Sequence, residues 1–344
     1  MGDNENQRGG RDVTPAPIAA PFPYFGGKSR IAPLVWERIG DVPNYIEPFF
    51  GSGACLLARP HTPQIETVND KDGFVANFWR ALQADPETVT HWAENPVFEN
   101  DLHARHIWLL GRKADLVARL EGDPDYFDAK IAGWWVWGMA CWIGSGWCEG
   151  NGPWVSEDGR LIKSDAGAGV KRQLPYLRST GMGVIRKRPH LGDAGSGANR
   201  QSDNLPDYFA GLAARLRRVR VCSGDWSRVC GFTPTSKLGL TGVFLDPPYG
   251  VADRDSRIYG NDDSLTVAAE VREWAVGRGD DPLMRIALCG YEGEHDFPPS
   301  WDCVAWKAHG GYGSQRTNGE NLNPNRERVW FSPHCLPRTT LELW

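Results

Sequence analysis

The chain has 344 residues, a length that corresponds to roughly two average domains. Hydrophobic residues make up 41% and charged residues 24%, and no unbroken apolar run reaches membrane-spanning length, which excludes a membrane-embedded class. The net charge of -5 argues weakly against a nucleic-acid partner, yet between Arg160 and Arg220 there are 13 Lys or Arg against 4 Asp, a local +9 that leaves -14 elsewhere. One basic block in an acidic chain fits either a solvated face or a phosphate-facing surface.

Met1 to Pro17 is polar and lacks an apolar h-region, so it reads as a disordered tail and not as a secretory signal. The eight cysteines show no C-x-x-C pairing and no His at zinc-finger spacing, and His103 and His106 have no third ligand in view. Free thiols in a reducing cytoplasm and no bound metal are the expectation.

In chain order, the hydrophobic patterns predict a helix over Ile31–Ile39, strands over Asn44–Ile46 and Ile65–Val68, and a helix over Phe74–Leu82. After Asp85 the pattern changes. Scattered Trp, repeated Gly and the low-complexity piece Gly192–Asp203 mark residues 86–204 as an insertion. Its Trp cluster, Trp134, Trp135, Trp137, Trp142, Trp147 and Trp154, reads mainly as the core of a small helical subdomain. Arg186-Lys187-Arg188 is a dense basic run there, suited to DNA phosphates. Arg215, Arg217, Arg218 and Arg220 fit phosphate contact and plain solvation equally well.

Beyond the insertion, the pattern predicts a helix over Tyr208–Leu216 and strands over Val219–Cys222 and Gly242–Leu245. A helix over Leu265–Val276 follows, then strands over Met284–Cys289, Cys303–Lys307 and Arg328–Phe331. Strands alternating with helices imply βα units and a mostly parallel sheet.

Three segments carry chemistry. Tyr45 to Ala54 reads as a strand, a tight turn with Gly51 and Gly53, and a helix start, the form of a nucleotide-binding turn. Asp70 ends the next strand 19 positions beyond Gly51, where a carboxylate can accept from ribose hydroxyls; Asn69 and Asp70 could equally cap the following helix. Asp246-Pro247-Pro248-Tyr249 follows the apolar strand Val243-Phe244-Leu245. Two prolines stiffen this turn at a strand's carboxyl end, Asp246 can accept from an amino group, and Tyr249 offers a ring for stacking on a flipped base.

Tyr24-Phe25-Gly26-Gly27-Lys28, Glu47-Pro48-Phe49-Phe50-Gly51-Ser52-Gly53-Ala54, Asn69-Asp70 and Asp246-Pro247-Pro248-Tyr249 together resemble, in order and spacing, the Dam-type adenine-specific DNA methyltransferases. The resemblance implies a Rossmann-like α/β methyltransferase domain over residues 18–85 and 205–344, with a mainly helical target-recognition domain inserted over 86–204. It implies S-adenosyl-L-methionine as cofactor and double-stranded DNA with a flipped adenine as partner, in a prokaryotic or phage-encoded protein. Tyr24, Gly27, Lys28, Glu47, Phe49, Gly51, Gly53, Asp70, Asp225 and Asp246 would form the cofactor site, with Tyr24 and Lys28 at its methionine end, Asp70 at its ribose and Asp225 at its adenine. Catalysis would fall to Asp246, Pro247 and Tyr249.

Tyr24 stands where many relatives have Trp, and Gly146 to Pro153 matches the family's Asn- and Gly-containing segment only loosely, so no recognition sequence carries over. The chain has no Pro-Cys step for a cytosine-C5 enzyme. A cytosine-N4 methyltransferase and a non-catalytic nucleic-acid-binding protein of the same fold stay open as alternatives.

Overall fold

The computed structural model describes residues 18–22, 24, 28–123, 125–142, 147–148, 154–157, 160–163, 205–249, 263–306 and 326–338. The expected tail, Gly27 and the run Arg186-Lys187-Arg188 lie outside the described residues. A 3-10 turn at Lys28–Arg30 leads into α1 (Ala32–Ile39), β1 (Asn44–Glu47), α2 (Ala54–Leu57), β2 (Ile65–Asp70) and α3 (Gly73–Ala84). Then come α4 (Pro86–Ala93), α5 (Glu99–Leu110), α6 (Lys113–Gly122), α7 (Ala129–Cys141) and the hairpin strands β3 (Trp154–Glu157) and β4 (Arg160–Lys163). The chain continues through α8 (Leu205–Leu216), β5 (Val219–Ser223), α9 (Ser227–Cys230), β6 (Thr241–Leu245) and α10 (Asp263–Gly279). Last are β7 (Met284–Tyr291), β8 (Asp302–Ala305) and β9 (Glu327–Phe331).

Seven strands form one sheet in the order β5-β2-β1-β6-β7-β9-β8. The first five are parallel, and β9 runs against both β7 and β8. Alternation along each strand divides the core into two layers, because successive side chains leave opposite faces of the sheet. Tyr45, Phe244, Ala287, Cys289, Val329 and Phe331 pack with α1 and α3, whereas Ile46, Val243, Leu245, Ile286, Leu288 and Trp330 pack with α9 and α10. Burial on both faces is why the central strands read as apolar runs. The architecture is a mixed sheet flanked by helices, consistent with the Rossmann-like expectation, with extra helical segments.

Helix starts follow local chemistry. Asp72, Asp85 and Asp128 each accept a backbone N–H at the head of α3, α4 and α7, and Pro86 follows the Asp85 cap. Gly242 brings β6 against α1: a Cβ there would lie 2.5 Å from Ile39 Cγ2.

α7 packs against α3 and α4, and its Trp135 joins the same core as Phe22 and Phe78. Buried Trp147 donates its indole N–H to the Trp135 carbonyl at 3.0 Å, and Trp137 donates to Asn95. These tryptophans are packing, as expected, but Trp135 and Trp147 belong to the main core and not to the core of a separate subdomain. His106 is also structural: its Nδ1 accepts from the Cys148 N–H, and its ring stacks on Trp142 at 4.8 Å. Among the described residues no helix is long and apolar enough to cross a membrane.

Candidate functional site

The parallel strands deliver their carboxyl ends to one edge of the sheet, where open α/β folds place ligands. After β1 the chain turns through Gly51 and Gly53, at φ 47° and 69°. L side chains rarely take such angles. Space excludes one as well: a Cβ on Gly51 would lie 2.5 Å from the Tyr24 ring, and one on Gly53 would lie 2.8 Å from Phe50. Trp79 donates to the Gly51 carbonyl at 2.9 Å and secures the turn from behind.

Glu47 sits beneath the turn, fully enclosed. Its Oε2 accepts from the Tyr45 hydroxyl at 3.0 Å and the Leu56 N–H at 3.1 Å, and burial pushes its pKa well up. Phe49 is half-buried and stacks on Trp226 with ring centroids 6.3 Å apart.

At the end of β2, Asp70 accepts the Gly51 N–H at 2.8 Å through Oδ2 and the Asp72 N–H at 2.8 Å through Oδ1. Burial raises its pKa to about 7 despite these bonds. Asn69 donates to the Pro48 and Gly224 carbonyls, tying the ends of β1, β2 and β5 together, while its buried Oδ1 has no partner among the described residues. Asp225, beyond β5, is exposed. It accepts from the Ser227 hydroxyl and N–H, and these bonds hold its carboxyl below the usual range.

Asp246 follows β6, which lies beside β1 in the sheet. Lys28 reaches it from the opening 3-10 turn, with Nζ 2.9 Å from Oδ1. The ammonium also lies 5.1 Å from the centroid of the Tyr249 ring and 5.6 Å from that of Trp306. Burial alone would lower the Lys28 pKa, but the carboxylates of Asp246 and Glu327 reverse this and raise it above the ordinary lysine value. Pro247 is buried. Tyr249 is 5% exposed, its hydroxyl donates to Glu327 Oε2 at 2.9 Å, and its ring meets Tyr291 edge-on at 4.7 Å.

The structure therefore brings Tyr24, Lys28, Glu47, Phe49, Gly51, Gly53, Asp70 and Asp246 to Tyr249 onto one edge of the sheet, with Asp225 at its β5 end. Arg215 is settled differently: it makes a bidentate pair with buried Glu66 at 2.7 and 2.8 Å, which is a structural role. Sequence reading overlooked Glu327, Tyr291 and Trp306. All three sit at strand ends, but only the reversal of β9 turns Glu327 towards the site, and no local pattern announces a reversal.

Residues 24–109 match the family model of the D12 class N6 adenine-specific DNA methyltransferase. That family methylates N6 of adenine in DNA, as an enzyme dependent on S-adenosylmethionine, and the matched segment holds Tyr24, Lys28, the glycine turn and Asp70. Asp246 to Tyr249 lies beyond it. No curated protein matches the chain.

Proposed function

With an N6-adenine methyltransferase segment matched at its head, we propose that the chain transfers a methyl group from S-adenosyl-L-methionine to N6 of an adenine flipped out of double-stranded DNA. One observation carries the reading. Because β1 and β6 are parallel neighbours, the glycine turn after one and Asp246-Pro247-Pro248-Tyr249 after the other open side by side.

The donor set suits the cofactor. Gly51 and Gly53 give a turn whose backbone a ligand can approach, and Asn69 Oδ1 is a buried acceptor without a partner among the described residues. Asp70 ends β2 and Asp225 lies just beyond the neighbouring β5, and they present carboxylates for the ribose hydroxyls and the adenine amine. Phe49 flanks them, Glu47 braces the turn from below, and Tyr24 and Lys28 stand at the methionine end. The outlying Gly27 belongs to the same cofactor-binding block by sequence.

When bound, S-adenosylmethionine supplies a methyl group on a sulfonium, already activated towards a nitrogen nucleophile. The protein's work is alignment and charge. Asp246 and the Pro247 carbonyl accept from the target amine, direct its lone pair in line and stabilise the positive charge that develops on nitrogen. Lys28, bonded to Oδ1, fixes the orientation of that carboxylate. The Tyr249 ring stacks on the extruded base and offsets part of the few kcal/mol that flipping costs. Residues 86–204 would serve as the target-recognition insertion between catalytic segments 18–85 and 205–344, with Arg186, Lys187 and Arg188 on DNA phosphates.

The test is transfer of tritiated methyl to unmethylated duplex DNA, followed by digestion to nucleosides. N6-methyladenine is expected, with Asp246→Asn slower by about a hundredfold or more and still able to bind DNA. Label in N4-methylcytosine, or none at all, would overturn the reading.

A further inference from the structure

Glu327 is 3% exposed and begins β9. A carboxylate there is costly, since desolvating a charge is unfavourable unless it is paired and hydrogen-bonded. An apolar side chain would serve the strand better, so the fold alone does not account for it. Two groups of the proposed site address its carboxylate. Oε2 accepts from the Tyr249 hydroxyl at 2.9 Å, and its negative charge acts on the Lys28 ammonium.

The reversed direction of β9 makes this geometry. Its first residue lies at the same edge of the sheet as the last residues of β6 and β7, and Glu327 stands opposite Tyr291 in the ladder. Two cross-strand neighbours therefore address one ring: Tyr291 meets it edge-on at an interplanar angle of 73°, and Glu327 holds its hydroxyl. Edge packing sets the tilt of a ring. A hydrogen bond at its far end fixes where that ring points.

We infer that Glu327 is a positioning residue of the methyl-transfer site, holding Tyr249 by its hydroxyl and so fixing the orientation of the ring on which the extruded base is proposed to stack. The inference rests on the proposed role of Tyr249 in base capture. Burial pushes the Tyr249 pKa well up, which keeps the phenol a donor to Glu327 at working pH.

The test uses the full chain, unmethylated duplex DNA and tritiated S-adenosylmethionine, with Tyr249→Phe, Glu327→Leu, Glu327→Gln and the double variant Tyr249→Phe/Glu327→Leu. Single-turnover rates at saturating DNA and donor are compared with donor affinity by calorimetry. Tyr249→Phe and Glu327→Leu should each slow transfer about tenfold or more, the double variant should be no slower than the worse single one, and donor affinity should stay within about twofold. Glu327→Gln, whose amide oxygen still accepts, should recover most of the rate. Wild-type rates in Tyr249→Phe, or losses that multiply in the double variant, would overturn the inference. If Glu327→Leu does not fold, Tyr249→Phe and Glu327→Gln still decide: a slow Tyr249→Phe beside a fast Glu327→Gln supports the anchor, and any other pairing sinks it. A wild type that labels no adenine overturns the functional reading as well, whereas an active wild type with multiplying variants overturns this inference alone.

Discussion

Lys28 Nζ lies 2.9 Å from Asp246 Oδ1, and both side chains are largely withdrawn from water. The ammonium pKa is raised, so Lys28 stays protonated through neutral and mildly alkaline pH, and its stabilising contribution is intact over that range. Lys28→Met removes the cation that lies 2.9 Å from the Asp246 carboxylate. Breaking a buried pair in this way costs about 3 kcal/mol, read as a lower urea midpoint, and methyl transfer should fall with it. An unchanged midpoint would show that the carboxylate does not need its partner.

Asp70 predicts an unusual pH response. Its folded pKa of about 7 lies above the unfolded carboxylate value of about 3.9, so between these values the folded state binds more protons. Stability should therefore decline as pH rises from about 4 to about 7. Asp70→Asn should lose that decline. In the wild type, donor affinity should increase as pH passes 7, because ribose hydroxyls donate best to an ionised carboxylate, and it should be flat in the variant. Calorimetric titration and urea unfolding between pH 5 and 8 would measure both, and a wild-type affinity without pH dependence would remove Asp70 from the ribose.

Gly51→Ala should damage the donor site specifically. A left-handed backbone costs an L residue roughly 1–2 kcal/mol, and the new methyl would collide with the Tyr24 ring. Thermal unfolding should show a modest loss of stability, and donor affinity should fall much further than DNA affinity. Equal losses of both affinities would mean that the turn supports the whole molecule and not one ligand.

Two groups of basic residues should separate. Arg215→Ala removes one of the two guanidinium partners of buried Glu66, and Arg59 stays 3.1 Å from Oε1, so stability should fall by about 1–2 kcal/mol with the salt dependence of DNA binding unchanged. Replacing Arg186, Lys187 and Arg188 by Ala should do the opposite, flattening that dependence by about 0.9 log unit for each lost phosphate contact. Fluorescence anisotropy over a salt series distinguishes them, and an unchanged slope in the triple variant would return those three residues to solvent.

The seven strands of the main sheet were legible because burial on both faces writes each as an apolar run, and their observed bounds differ by a residue or two. Lys307, expected at the end of one strand, lies outside the described residues, and β8 ends at Ala305. The glycine turn, Asp70 and Asp246 were legible because turn geometry and strand ends demand particular residue types. The hairpin β3–β4 was overlooked although Asp158-Gly159 separates its two strands, a common hairpin signal. Helices α4, α6 and α7 were also missed individually, where the surrounding Gly and Trp residues obscured the helical period. Glu327 was illegible for a deeper reason: a single acidic residue before an apolar strand looks like an exposed strand end, and only pairing between distant segments makes it face Tyr249.

That pairing also orders the assembly of the protein during synthesis. β9 lies between β7 and β8 in the sheet, yet follows both in the chain. Until residues 327–331 leave the ribosome, β7 keeps an open edge and β8 has no place to dock, and unpaired edges of this kind invite association with other chains. The Tyr249 hydroxyl waits on the same event for its acceptor. The last strand to be synthesised is thus an inner strand of the sheet, and it also carries the acceptor for the Tyr249 hydroxyl.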